Sequence, residues 1–287
     1  MPPSISPSEL AARLGRPDAP LLLDVRRTPR FAESEWILPG AVHCAPEAVE
    51  AFARSQAPRE AVVYCVYGHN VSHDAAAQLA AAGWSVRCLA GGIEGGEPGV
   101  DADAAVAQWR ASAVPRQRKR PDLGVTGERP SRWITRAQPK IDRIACPWLV
   151  RRFIDPRAEF FYVPTEQVFE QAKQLEAVAF DIPGAPIEHA WERCSFDALM
   201  AAFELRSPAL DTLATIVRGA DTDRMKIAPQ SAGLLAVSLG FSQLHADDDH
   251  AMLEAMMPVY DALYAWCCDA QGETHRWSAH QPQKVEQ

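Results

Sequence analysis

The order of local signals in the first hundred residues constrains this chain most. Short apolar runs, of the kind that fill a buried strand, alternate with helix signals, and this order points to a parallel sheet covered by helices on both faces. Leu21-Leu22-Leu23-Asp24-Val25 is one such run, Ala61-Val62-Val63-Tyr64 a second, and Val86 to Leu89 a third. Between them, Ser6-Pro7-Ser8-Glu9 reads as a capping box with proline at the first helical position, and Gly15 closes the helix. Ser72 to Ala82 is alanine-rich and helical, stopped by Gly83, and Asp103 to Ala111 reads as one more short helix.

The pattern then breaks. Pro115, Pro121 and Pro130 punctuate a polar stretch that opens with Arg116-Gln117-Arg118-Lys119-Arg120, which reads as an exposed linker. After Trp133 helices dominate, with Ala158 to Val163 and Ala177 to Ile182 as candidate strands. Ser195 and Ser207-Pro208 cap helices, Ser231 to Gly240 forms a short apolar one, and Asp249 to Asp269 is the longest. A chain of 287 residues has room for two cores. The expected units are 1–112, a linker at 113–131, a mainly α-helical unit at 132–278 and a flexible tail at 279–287. A linker with so little to bury implies halves that fold independently.

Charge and cysteine usage narrow the function classes. Residues 1–115 carry 9 basic against 13 acidic side chains and residues 133–287 carry 14 against 22, whereas 116–132 carry 6 against 2. Acidic bodies argue against broad nucleic-acid binding. No apolar run reaches the roughly 20 residues that span a bilayer, and no basic stretch precedes an apolar block at the start, so no membrane role is read and the expected compartment is the cytoplasm. The seven cysteines include no CxxC pair, which fits reduced thiols better than a disulfide framework or zinc ribbon.

One of those cysteines stands where chemistry is expected. Cys65 follows an apolar strand and opens a polar loop, Val66-Tyr67-Gly68-His69-Asn70-Val71, that leads into a helix. Ligands of parallel α/β sheets bind at the carboxyl ends of strands. The loop amides and the following helix N-terminus can cradle an anion and favour a thiolate nucleophile, with His69 adding positive charge. A buried structural cysteine is the other reading of the same position.

Residues 5–110 resemble a single-domain rhodanese. Leu22-Leu23-Asp24-Val25-Arg26 is similar to the family's first strand and Asp-x-Arg motif, and Pro39-Gly40-Ala41-Val42-His43 to its G-A-x-H segment. Val62-Val63-Tyr64-Cys65-x-x-Gly68 is similar to its active loop, and Leu89-Ala90-Gly91-Gly92 to its closing L-x-G-G. The resemblance implies that Cys65 accepts a sulfane sulfur as a persulfide and passes it to a thiol or cyanide, with no cofactor required. It implies substrate contacts from residues 66–71. Asp24 and Arg26 join that set, chiefly as a strand-end ion pair that orders the loop. Two departures stand out. Asn70-Val71-Ser72 lacks the arginine that family loops carry near their end. Placing the next helix at Ala75-Ala76 also makes the loop one residue longer than in common sulfurtransferases, a length suited to tetrahedral oxyanions.

Residues 133–277 resemble the C-terminal domain of B-type chromate-resistance proteins. The resemblance rests on Trp133-Ile134-Thr135-Arg136, the run from Lys140 to Asp155, Cys194-Ser195-Phe196, Ile216-Val217-Arg218-Gly219-Ala220-Asp221 and Tyr260-Asp261-Ala262-Leu263-Tyr264. Ile141, Ile144, Ala145, Trp148, Leu149 and Phe153 fall on one helical face, with Asp142, Arg143, Arg151 and Arg152 mostly off it. Pro147 implies a kink or a helix start. Arg143, Arg151 and Arg152 could line an oxyanion pocket with Arg136, or form a solvated face. His189, Glu192, Cys194, Asp221 and Asp223 offer mixed ligands, and His189 with Asp221 could hold zinc or iron. A surface histidine and a helix-capping aspartate are the plainer reading.

The function these signals favour is a rhodanese-like sulfurtransferase in chromate or oxyanion stress, taking a small-molecule sulfur donor and a thiol acceptor or an oxyanion. The rival is a chromate-responsive regulator with a non-catalytic rhodanese module, touching nucleic acid through Arg116 to Arg120. No helix-turn-helix pattern supports it.

Overall fold

The computed structural model describes residues 2–274. The expected tail at 279–287 and the last four residues of the 132–278 unit lie outside the described residues.

The N-terminal half contains strands β1 (Ser4–Ile5), β2 (Leu21–Asp24), β3 (Trp36–Ile37), β4 (Val42–His43), β5 (Glu60–Tyr64) and β6 (Ser85–Leu89). Among them run helices α1 (Pro7–Ala11), α2 (Thr28–Glu33), α3 (Val49–Ser55) and α4 (Asn70–Ala81), followed by α5 (Asp103–Ala111). Five strands form a parallel sheet in the order β1-β6-β5-β2-β4. The expected α/β class holds. The capping box closes as read, with Glu9 N donating to Ser6 Oγ at 3.2 Å and Ser6 N to Glu9 Oε2 at 2.9 Å.

The pleat divides the sheet's side chains between two cores. Leu21, Leu23, Ala61, Val63 and Cys88 pack with Val49 and Ala53 of α3 and Ala75, Ala76 and Leu79 of α4. Leu22, Val62, Tyr64 and Leu89 face the other way, toward Leu10 and Phe31 of α1 and α2. That second core does not stop at the N-terminal half. It continues without a break into Trp133, Trp148, Phe153, Phe203 and Tyr260.

The C-terminal half begins after β7 (Gln117–Arg118) with β8 (Arg132–Arg136), and adds β9 (Glu159–Val163) and β10 (Val178–Ala179) in a parallel sheet of order β10-β8-β9. Helices α6 (Asp142–Leu149), α7 (Val168–Gln174), α8 (Ser195–Ala202), α9 (Pro208–Asp221), α10 (Gln230–Leu244) and α11 (Asp249–Ala265) make up the rest. Pro147 does not start a helix; it lies inside α6. Proline removes the amide that would bond the carbonyl of Arg143, and Tyr162 Oη donates to that carbonyl at 3.4 Å instead. Asp142, read as mostly off the buried face, is fully buried.

The stretch read as an exposed linker is packed against both halves. β7 pairs antiparallel with β3, Trp36 opposite Arg118 and Ile37 opposite Gln117. Gln117 is buried, and its Nε2 donates to the carbonyl of Ile154 at 3.0 Å. Lys119 N donates to Glu35 O at 2.7 Å, and its ammonium lies 4.1 Å from the centre of the Phe31 ring. Arg116 pairs with Glu94 at 3.2 Å, Arg118 with Glu204 at 3.1 Å and Arg120 with Asp122 at 2.6 Å. Val114, Leu123 and Val125 are buried in the shared core, and the remaining contacts are polar or backbone-mediated, so composition gives little hint of them.

Phe153 makes a close apolar join. Its ring sits so close to Gly15 that a Cβ built there would lie 2.0 Å from Phe153 Cζ, and the ring also packs on Trp148 and Tyr264 at 5.9 and 5.4 Å between ring centres. Halves joined in this way should unfold together. The full chain is expected to show one calorimetric transition, with Phe153→Ala lowering it by about 3 kcal/mol or more and trypsin sparing the 116–120 stretch in the native protein. Two resolved transitions, or a first tryptic cut at Arg116 to Arg120, would mean that the shared core is not cooperative.

Candidate functional site

β5 delivers Cys65 to the carboxyl edge of the sheet, 6% exposed, with its Sγ 3.4 Å from Ser72 Oγ. Two carbonyls of the strand end are taken from below: Ile93 N donates to Cys65 O at 3.0 Å and Glu94 N to Val66 O at 2.9 Å. The L-x-G-G segment packs here with no room for side chains. A Cβ on Gly92 would lie 2.5 Å from Gly68 N, 2.6 Å from Cys65 O and 2.6 Å from Val66 O, and both glycines have positive φ. Each peptide is planar with its N–H opposite its carbonyl, so the amides of Val66 and Tyr67 point away from residues 93 and 94. No acceptor among the described residues takes the N–H of Val66, Tyr67, Gly68 or His69. Asn70 and Val71 belong to the first turn of α4, where amides have no intrahelical acceptor.

Cys65, Val66, Tyr67, His69, Asn70 and Val71 line a cavity of about 330 Å³ together with Arg26, Arg27 and Arg30. The arginines arrive from the end of β2 and from α2, not from the Cys65 loop, so the departure noted in the loop is answered by a distant segment. Arg26 has a structural bond network. It is buried, holds Asp24 at 2.6 Å and donates to Trp36 O at 2.8 Å. Arg27 and Arg30 are exposed, and Arg30 also meets Glu33 at 3.1 Å. His69 does not supply charge to the sulfur in the expected way. Its ring is held by Asp101 at 3.0 Å and Glu97 at 3.4 Å, two carboxylates that offset any positive charge. The neighbouring thiol of Cys88 is pushed up to about 12 by burial, and its Sγ lies 3.5 Å from Ser72 O.

A second constellation lies in the C-terminal half. His189 and Asp221 come together as read, with Nε2 to Oδ2 at 3.1 Å. Two residues not read as ligands complete it: Asp181 Oδ1 at 3.2 Å and Asp142 Oδ2 at 3.5 Å from the same nitrogen. Asp142 starts α6, Asp181 follows β10 and Asp221 ends α9. Asp181 is fully engaged. Ser195 Oγ donates to its Oδ1 at 2.8 Å, and Arg136 and Arg143 reach its Oδ2 at 3.1 and 3.4 Å. Asp142 Oδ2 accepts from Phe196 N at 3.2 Å, whereas its buried Oδ1 has no donor.

The protonation pattern follows from this crowding. Hydrogen bonds to Asp142 and Asp181 push His189 up to about 10, against the opposing effect of burial. Burial, with the charges of Asp142 and Asp181, pushes Asp221 up to about 7. Burial raises Asp142 as well. Asp181 goes the other way: burial works to raise it, but the His189 and Ser195 hydrogen bonds and the Arg136 charge hold it below the usual range.

Of the other residues read as ligands, Glu192 pairs with Arg224 at 2.9 Å, Cys194 Sγ donates to Asp197 at 3.4 Å, and Asp223 is exposed just past α9, outside the cluster. The four arginines do not form one oxyanion pocket: Arg136 and Arg143 converge on Asp181, while Arg151 and Arg152 pair with Glu254 and Asp261 of α11.

Family models match the two parts separately: the rhodanese-like domain at residues 6–97 and the ChrB C-terminal domain at 133–267. Protein ChrB of Cupriavidus metallidurans is 35% identical over 153 residues, covering 49% of this chain and 45% of that protein, so the matched region spans less than half the length of that relative. Among solved structures, a rhodanese homologue of Thermus thermophilus is 27% identical with a TM-score of 0.26, covering 32% of this chain and 96% of its own. A thiosulfate sulfurtransferase of Pseudomonas aeruginosa is 25% identical with a TM-score of 0.30, covering 40% and 19%. The Cys65 loop therefore belongs to a rhodanese-like domain, and the His189 cluster to a ChrB C-terminal domain carried by the same chain.

Proposed function

We propose that this chain is a sulfurtransferase-like enzyme of chromate or oxyanion stress, working in the cytoplasm, with Cys65 as its sulfur carrier. The observation that carries the reading is the position of Cys65 on the cavity wall, beside the arginines 27 and 30 and a loop whose amides at residues 66–69 have no acceptor among the described residues. In the first step the Cys65 thiolate attacks the outer sulfur of a sulfane donor such as thiosulfate. The S–S bond of the donor breaks, sulfite leaves with the electron pair, and a persulfide stays on Cys65. In the second step an acceptor thiolate or cyanide takes the terminal sulfur and the Cys65 thiolate returns. The amides stabilise negative charge as it passes over the loop. Arg27 and Arg30 draw the anionic donor into the cavity. Asp24 and Arg26 hold the strand end, and none of these steps calls on a metal. The second domain supplies the stress context, since it is of the ChrB type.

The regulator reading gains nothing from the 116–120 stretch. Arg116, Arg118 and Arg120 are paired with carboxylates of this chain and Lys119 is seated on Phe31, so phosphate contacts would have to displace them.

Incubating the pure protein with thiosulfate should add one sulfur atom to Cys65 by intact and peptide mass spectrometry. Cys65→Ser should abolish both the adduct and thiosulfate:cyanide activity, with a stability change within about 1 kcal/mol because the exchange is nearly isosteric. An unreactive wild-type Cys65, or a fully active Cys65→Ser, would remove the residue from this role. Replacing both Arg27 and Arg30 by Ala should raise the KM for thiosulfate about tenfold or more, the loss of roughly 1.4 kcal/mol or more of uniform binding, with a smaller effect on kcat. An unchanged KM would take the two arginines out of donor binding.

A further inference from the structure

The His189 cluster lies in the other domain from Cys65, and its chemistry is independent of sulfur transfer. Three carboxylate oxygens stand 3.1 to 3.5 Å from His189 Nε2. An imidazole nitrogen carries at most one proton, so it can donate to one of them at a time. Asp181 has other partners in Ser195, Arg136 and Arg143, but Asp142 and Asp221 have no arginine or lysine among the described residues. Asp142 is fully buried; its Oδ2 is the oxygen near His189, and its Oδ1 accepts from nothing among the described residues. A buried carboxylate oxygen left without a donor is costly unless a cation serves it.

We propose that Asp142, His189 and Asp221 bind a divalent first-row transition ion of the zinc or iron(II) type. One ligand atom from each lies within 4.8 Å of the others. The spacings of 3.1 Å (His189 to Asp221) and 3.5 Å (His189 to Asp142) bracket the edge of about 3.4 Å of a tetrahedron with bonds of about 2.1 Å. One imidazole and two carboxylates form a borderline-to-hard set that suits zinc or iron(II) better than a soft ion such as Cu(I). His189 is 43% exposed, which gives the ion a route in and leaves a coordination position open to solvent. Asp181 Oδ1 faces the same nitrogen of His189 at 3.2 Å, and its ties to Ser195 and two arginines hold it as a fixed negative charge beside the ion.

The test uses the full chain, stripped with EDTA, dialysed and titrated calorimetrically with zinc chloride, then anaerobically with iron(II). The wild type should bind one equivalent of at least one of these ions and gain thermal stability with it. His189→Ala and the nearly isosteric Asp221→Asn should lose binding more than about a hundredfold while keeping the wild-type circular dichroism spectrum. Asp181→Asn, which removes a negative charge beside the ion, should weaken binding less than either ligand variant does. The seven thiols are rival sinks for zinc, and the variants separate them from this site: uptake unchanged in both His189→Ala and Asp221→Asn overturns the assignment. A wild-type chain that takes up neither ion overturns it as well.

Discussion

Alternate side chains of β5 point into two different cores, and the rest of the molecule is arranged around that division. Val62 and Tyr64 face the core that runs on into the C-terminal half, while Ala61, Val63 and Cys65 face α3 and α4. Tyr64 ties the first face down: its buried hydroxyl accepts the amide of Leu38 at 3.2 Å. The next residue is Cys65. One strand thus anchors the join between the domains and presents the sulfur, so a disturbance at the join reaches the loop through a single peptide unit. Interiors packed at crystal-like density transmit such strain rather than absorb it. Phe153 against Gly15 belongs to the same join, and any side chain at Gly15 would collide with that ring.

The direction of the loop amides follows from where its carbonyls go. Ile93 N and Glu94 N occupy the carbonyls of Cys65 and Val66, and Gly92 allows the approach because it has no Cβ. Gly99 gives the contrast: its φ of +78° is similarly left-handed, yet nothing lies within 4 Å of a Cβ built on it. Both positions favour glycine for backbone reasons, but at Gly92 the neighbouring backbone adds a steric requirement. The L-x-G-G segment is therefore part of the site although none of its side chains reaches the sulfur.

What the sequence makes legible is whatever is written in apolar periodicity. The runs 21–25, 61–64 and 86–89 lie on the three central strands, and the capping box at Ser6 closes as its residue types imply. The 113–131 stretch misleads for the opposite reason. Its contacts include a two-residue strand pairing, a buried amide on the Ile154 carbonyl and an ammonium on an aromatic ring, and its buried Val114, Leu123 and Val125 are too scattered to form an apolar run. Arg27 and Arg30 escape because they stand more than thirty residues from the loop they face. Asp142 escapes because an aspartate flanked by Lys140 and Arg143 resembles a solvated face. The available signal is its neighbourhood: Ile141 and Ile144 bracket it, and the run continues into Trp148, on an element that is buried along most of its length.

The two sites also show why net charge is a weak guide to what a chain binds. At −8 overall, this protein should repel anions. Yet exposed charges farther apart than about 8 Å are largely screened at physiological ionic strength, so a ligand at a cavity mouth senses the groups around it and little else. At the Cys65 cavity those groups are Arg27, Arg30 and a row of free amides, with Asp24 neutralised by Arg26. At the His189 cluster they are three carboxylates against one imidazole, with both nearby arginines spent on Asp181. One place suits an anion and the other a cation, and each owes its sign to segments distant in sequence that the fold brings within a few ångströms.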